Sequence, residues 1–286
     1  MISDITLGQF FPGFSPLHKL DPRTKIVLAV LFIVAVFLVN NPAGFLLMIL
    51  LTVFMVAVSR ISFKIVLRGI RPIIFILIFT SLINLFMTVG EGEPIWKFYF
   101  LKLYKEGIIR AVFMSLRVIV LIVGTSMLLT YTTSPISLTD GIESLLKPLK
   151  KIGVPVHVFA MMMTIALRFI PTLVEETEKI MNAQKSRGAD FSTGGLIKRA
   201  KALIPILVPL FVSSFKRAEE LATAMECRCY RGDKNRTKYA ELKYRPLDAG
   251  WFIFALVFFA SIIVVGILPY KFEVGNLIYE IAFYRI

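Results

Sequence analysis

Two arginines pose the chemical question in this 286-residue chain. The segment AQKSRGAD (183–190) sets Arg187 between Ser186 and Gly188, and AMECRCYRG (224–232) sets Arg228 between Cys227 and Cys229. Aligned on those arginines, the two segments are 41 residues apart, with Glu178, Ile180 and Ala183 over Glu219, Leu221 and Ala224. In helical geometry Ala183 lies one turn before Arg187, and Ala224 one turn before Arg228, on a shared face. Ile180 and Leu221 extend each stripe by a further turn. A partner can approach such a stripe closely and meet, at its tip, a planar and permanently charged fork suited to carboxylates. One arginine at a helix end would be explained by the helix dipole or by lipid phosphate. Two at matching positions in tandem helices, both among small residues, favour docking.

The remaining reactive residues do not assemble into a catalyst. No G-x-x-x-x-G-K-[ST] phosphate loop occurs, so ATP is not hydrolysed by this chain. Cys227 and Cys229 are the only cysteines, too few for a disulfide framework or a four-ligand zinc site, and read as reduced thiols. His18 and His157 are far apart and have no companion at ligand spacing, which points to structural roles at the N-terminus and at a helix start. Glu175, Glu176 and Glu178 point to different sides of a helix, and form a solvated face or pair with Lys179 and the basic second helix. No catalytic, cofactor-binding or metal-binding residue is expected.

The elements that carry the arginines belong to a membrane protein. Apolar residues make up 57% of the chain and mean hydropathy is +0.76, well above a soluble domain of this length. The net charge of +14 must then concentrate outside the hydrocarbon. No nucleic-acid module accompanies that charge. Hydrophobic runs at 24–40, 43–58, 72–89, 111–131 and 250–268 predict five transmembrane helices. Asp21-Pro22 supplies an N-cap and a first-turn proline for the first. Asn40-Asn41-Pro42 closes it with a tight turn. The N-terminal stretch lacks the layout of a cleavable signal peptide, so the first run is expected to act as an uncleaved anchor.

Lysines and arginines concentrate in residues 1–25 and 59–71, whereas the intervening turn has none, which places the N-terminus in the cytoplasm. The loop 90–110 has a weaker bias and is assigned outside; residues 132–249, with more than half of the basic residues, are then cytoplasmic. Within them Gly141–Ile152 reads as a short basic amphipathic helix. Two long helices follow, at 156–187 with Pro171 and at 196–229 with Pro205 and Pro209, each apolar in its first half and charged in its second. The expected architecture is an all-α integral membrane protein: a four-span N-terminal membrane domain (1–131), a cytoplasmic module of long amphipathic helices (132–249), and a C-terminal span and tail (250–286).

The segments RFIPTLVEETEKIMNAQKSRGAD (168–190), LIPILVPLFVSSFKRAEELATAMECRCYRG (203–232) and SPLHKLDPRTK (15–25) closely resemble the transmembrane T component of energy-coupling factor (ECF) transporters, a likeness running from residue 15 to the last span. That resemblance implies a cell-membrane importer of four parts: two ABC-type ATPase subunits that bind the ATP, this scaffold, and a small membrane S component that captures a vitamin or a transition-metal ion. In that family the paired motifs usually read Ala-Arg-Gly and cap two coupling helices whose arginines dock into the ATPases. Carried over, Arg187 and Arg228 are the docking residues, framed by Ser186, Gly188, Cys227, Cys229, Ala183 and Ala224. Ser186 and Cys227 replace alanine but remain small. Cys229 replaces a glycine that would permit a left-handed helix end, and the second helix is expected to terminate nearer Gly232.

Met161, Met162 and Met163 offer an adaptable surface for an S component, or pack against the spans. Two other classes compete with the coupling reading. A self-contained secondary transporter needs ionisable residues or broken helices at mid-membrane. The spans hold only Asn84, expected to bond a neighbouring helix, and Arg117, expected to snorkel to the interface. A lipid-acting membrane enzyme needs converging acids, histidines or metal ligands, and the sequence offers no such set.

Overall fold

The computed structural model describes residues 10–39, 41–88, 96–98, 101–189, 191, 195–232, 242–267, 272–273 and 278–279. Among them are nine α-helices: α1 (Pro22–Leu38), α2 (Pro42–Ser59), α3 (Phe63–Ile70), α4 (Ile74–Met87), α5 (Lys105–Thr125), α6 (Pro135–Leu146), α7 (Val156–Ser186), α8 (Leu196–Cys227) and α9 (Pro246–Ile267). Two short antiparallel ladders, Trp96–Phe98 with Leu101–Leu103 and Phe272–Glu273 with Ile278–Tyr279, are the strands present. The chain is an all-α membrane protein. It divides into two compact units, residues 10–134 with 242–286, and residues 135–241.

In the first unit α1 packs on α5 and α9, with α2 and α4 also against α5. The core joins Phe32, Ala35 and Val36 of α1 to Met48 of α2, Val120 of α5 and Ile262 of α9. Asp21 accepts the Arg23 amide at 2.9 Å, capping α1 ahead of Pro22 as the sequence predicts. Gly107 lets α5 approach α4 closely, since a Cβ there would stand 2.8 Å from the Leu85 carbonyl oxygen. Outer faces remain apolar and exposed, including Leu46, Leu50 and Val53 of α2 and Phe75, Ile78 and Phe79 of α4. Such surface is what a bilayer, and not water, tolerates.

Among the described residues, five helices are long and apolar enough to cross a membrane: Pro42–Ser59, Phe63–Met87, Gly107–Tyr131, Val156–Ser186 and Pro246–Val265. The set differs from the sequence-predicted runs in two ways. The third span begins at Phe63, because α3 continues through a 3₁₀ turn at Arg71–Ile73 into α4. Lys64 and Arg68 are therefore helical and not in a loop, and the tightened turn falls where Pro72 lacks an amide hydrogen. α7 also qualifies on its apolar first half, while α1 has 17 residues, at the short limit for a span. The fourth run extends α5 by a π-helical segment, Ser126–Tyr131. Residues 90–95 and 99–100 of the loop 90–110, and most of the tail after residue 267, lie outside the described residues, while residues 105–110 of that loop already belong to α5.

Three polar side chains find partners other than those the sequence suggests. Lys25, grouped by sequence with the charged N-terminal segment, is 2% exposed and donates to the Thr132 carbonyl at 2.7 Å and the His18 carbonyl at 3.4 Å. Arg117 donates to the Val39 carbonyl at the end of α1 (2.7 Å) and lies over the Phe45 ring. Asn84 donates to the Thr80 carbonyl four residues back on its own helix (2.8 Å), where the sequence suggests a neighbouring helix. His18 has the structural role expected of it. Its Nδ1 accepts from Ser15 at 2.6 Å and its Nε2–H donates to the Phe11 carbonyl at 2.9 Å, a tautomer assigned from these partners.

In the second unit α6 packs on α7, and α7 on α8. The amphipathic helix expected at Gly141–Ile152 starts earlier, with Pro135 in its first turn, and its basic end winds into a 3₁₀ helix, Lys147–Ile152. Gly153, at φ +88, turns the chain toward α7. His157 at the start of α7 faces buried Glu143 of α6, Nδ1 to Oε1 3.0 Å, again a structural contact. α7 and α8 run 31 and 32 residues and contain Pro171, Pro205 and Pro209 without ending there.

Candidate docking site

Both coupling-helix candidates finish in the same backbone figure. α7 ends at Ser186, and Arg187 takes φ −88, ψ 8, its amide donating to Ala183 and Gln184 at 3.3 and 3.1 Å. Gly188, at φ +86, donates to Lys185 (2.9 Å), and Ala189 to Gln184 (3.0 Å). α8 ends at Cys227, and Arg228 takes φ −89, ψ 16, donating to Ala224 and Met225 at 3.2 and 3.1 Å. Cys229, at φ +58, donates to Glu226 (2.8 Å), and Tyr230 to Met225 (3.0 Å). These are the paired reversed hydrogen bonds of a Schellman closure, which satisfy carbonyls that a helix end would otherwise leave unpaired.

The expectation that α8 runs on toward Gly232 is therefore corrected. Cys229 adopts the left-handed conformation itself. The two closing hydrogen bonds, from Cys229 to Glu226 and from Tyr230 to Met225, outweigh the Cβ penalty of a non-glycine residue there.

Ala183, Ser186, Arg187, Gly188 and their counterparts Ala224, Cys227, Arg228 and Cys229 are all exposed. Neither guanidinium makes a hydrogen bond or ion pair with a described residue. Each tip thus presents an alanine, two further small residues and an unpaired cation on one helix end. That arrangement can receive a carboxylate in bidentate fashion. No group of three metal-ligating side chains occurs among the described residues.

A feature the sequence reading located only loosely holds the two helices together. Glu176 of α7 accepts from Ser213 and, at 2.9 Å, from Arg217 of α8. Glu176 and Arg217 are separated by 41 residues, the offset of the two arginine tips, so each lies about three turns before its own tip. Opposite charges at equivalent positions of a repeat were the available signal. Glu175 and Lys179 stay exposed on α7.

The first halves of both helices display apolar surface. Met162 and Met163 are exposed, as are Phe159 on α7 and Leu207 and Phe211 on α8, with exposed Phe215 just past the middle of α8, whereas Met161 is half-buried.

Residues 13–239 match the family of the cobalt transport protein CbiQ. Similar proteins include the energy-coupling factor transporter transmembrane protein EcfT of Clostridium kluyveri, 56% identical over 248 residues, covering 87% of this chain and 92% of the relative. EcfT of Bacillus subtilis is 49% identical over 257 residues (90% and 96%). EcfT of Thermanaerovibrio acidaminovorans is 48% identical over 271 residues (95% and 98%). With its helical membrane fold, its paired arginine-tipped helices and this likeness along most of its length, the chain belongs to the CbiQ cobalt transport protein family, alongside the transmembrane components of energy-coupling factor transporters.

Proposed function

We propose that this chain is the non-catalytic scaffold that couples two cytoplasmic ABC-type ATPases to a substrate-capturing S component in the cell membrane, for uptake of a vitamin or a transition-metal ion. Arg187 and Arg228 grip one ATPase each, with Ala183, Ser186, Gly188, Ala224, Cys227 and Cys229 keeping the surroundings small. The observation that carries this reading is the repeated closure: two exposed, unpaired arginines held at near-identical backbone angles at the ends of tandem helices. Closing of the ATPases around ATP would move both tips. The Glu176–Arg217 pair makes α7 and α8 move together, so displacement reaches their apolar first halves, where Met162, Met163 and the α8 aromatics face the S component.

In this reading the N-terminus and residues 132–249 lie on the cytoplasmic side, where the ATPases are, with residues 1–131 and 250–286 forming the membrane part. The test is co-purification from membranes of the chain with its ATPases. Arg187→Glu and Arg228→Glu should each reduce ATPase retention, and the double variant should abolish both retention and uptake while remaining inserted. Full retention and uptake in the double variant would overturn the docking role.

A further inference from the structure

We propose that Cys227 and Cys229 form a reversible thiol-modification site, where a mixed disulfide with a low-molecular-weight disulfide disables one docking tip and spares the other. The inference rests on the docking reading given above. Both thiols are free and exposed, and they flank Arg228 in the last turn and the closing turn of α8. At the equivalent positions of α7 stand Ser186 and Gly188, which have no sulfur, and the chain has no other cysteine. The two tips share one backbone geometry, so thiol chemistry distinguishes them where shape does not.

Exposed Arg228 and Arg231 outnumber exposed Glu226 beside the thiols, leaving a net positive field that draws anionic reagents such as glutathione disulfide. The sulfur of either cysteine, after loss of its proton, attacks one sulfur of that disulfide. The reagent's S–S bond breaks, a protein–glutathione S–S bond forms, and the departing half leaves as a thiol carrying the proton. The cysteine is oxidised, the departing half is reduced, and a free thiol reverses the exchange. An attached glutathione brings its own carboxylates beside Arg228. It thereby occupies the fork that the ATPase carboxylate would need and adds bulk where only small side chains stand.

The experiment uses the full chain assembled with its two ATPases in nanodiscs, treated with glutathione disulfide and then with dithiothreitol. Mass spectrometry of the peptide spanning residues 227–229 reads the adduct, and pull-down reads ATPase retention. Adduct formation, an about tenfold fall in retention of one ATPase, recovery with dithiothreitol, and immunity of the Cys227→Ser/Cys229→Ser variant are expected. No adduct at either cysteine, or an adduct with unchanged retention, would overturn the inference. The untreated Arg228→Glu variant separates the two ideas. If it loses retention while the adduct does not lower it, docking stands and the thiol switch falls; if it keeps its ATPase, docking at this tip fails and the switch falls with it.

Discussion

Replacing Cys229 by glycine and Gly188 by alanine should move the two helix ends in opposite directions. Both residues occupy the left-handed region, at φ +58 and φ +86. A Cβ built on Gly188 meets nothing within 4 Å, so the cost of alanine there is the backbone conformation alone, about 1 kcal/mol. Glycine at position 229 relieves a penalty of the same kind and size, since Cys229 is exposed and its side chain gives up little packing. A change of about 1 kcal/mol alters a local opening equilibrium about fivefold. Hydrogen exchange reads it at the two closing amides: the Tyr230 amide should exchange about fivefold more slowly in Cys229→Gly. The Ala189 amide should exchange about fivefold faster in Gly188→Ala. Equal rates in both variants, or changes of the same sign, would refute the claim that one closure geometry is built from two different residues.

Three further outcomes follow from the packing. Arg217→Ala should weaken the α7–α8 contact by about 0.5–1 kcal/mol, a modest loss because the pair is partly solvated, seen as faster exchange across α8. Gly107→Ala should destabilise the membrane unit by about 1–3 kcal/mol, because the new methyl group meets the Leu85 carbonyl and α4 must shift; thermal unfolding in detergent measures it. Burial, with a smaller contribution from the Lys25 charge, holds the His18 ring below its ordinary pKa of 6.5, against the raising effect of the Phe11 carbonyl. The neutral ring is thus favoured by folding, and its stabilisation is complete above pH 6.5 and lost as the pH falls through the lower folded value. The stability gap between the native chain and His18→Gln should shrink on acidification, and a gap that widens would contradict the sign.

What was legible in the sequence was mostly local. Asp21-Pro22 announces the start of α1 because the cap and the proline act within one turn. The long helices α7 and α8 are readable to within two residues because their polarity gradients and their arginines repeat. What stayed hidden depends on groups distant in the chain. Lys25 is buried only because the Thr132 carbonyl, 107 residues on, receives its ammonium. Arg117 is held by the carbonyl of Val39 at the end of α1, 78 residues earlier. The left-handed Cys229 is an intermediate case. Its own type argues against that conformation, while the identical spacing of Arg187-Gly188 and Arg228-Cys229 argues for it, and the hydrogen bonds decide.

The central claim is that both tips touch ATPase. A photo-crosslinking amino acid placed at Ser186 or at Cys227, activated in intact membranes, tests it directly. Capture of an ATPase subunit from each position, lost when the neighbouring arginine becomes glutamate, is the result predicted here. Capture of lipid alone, or of no ATPase from either position, would contradict it.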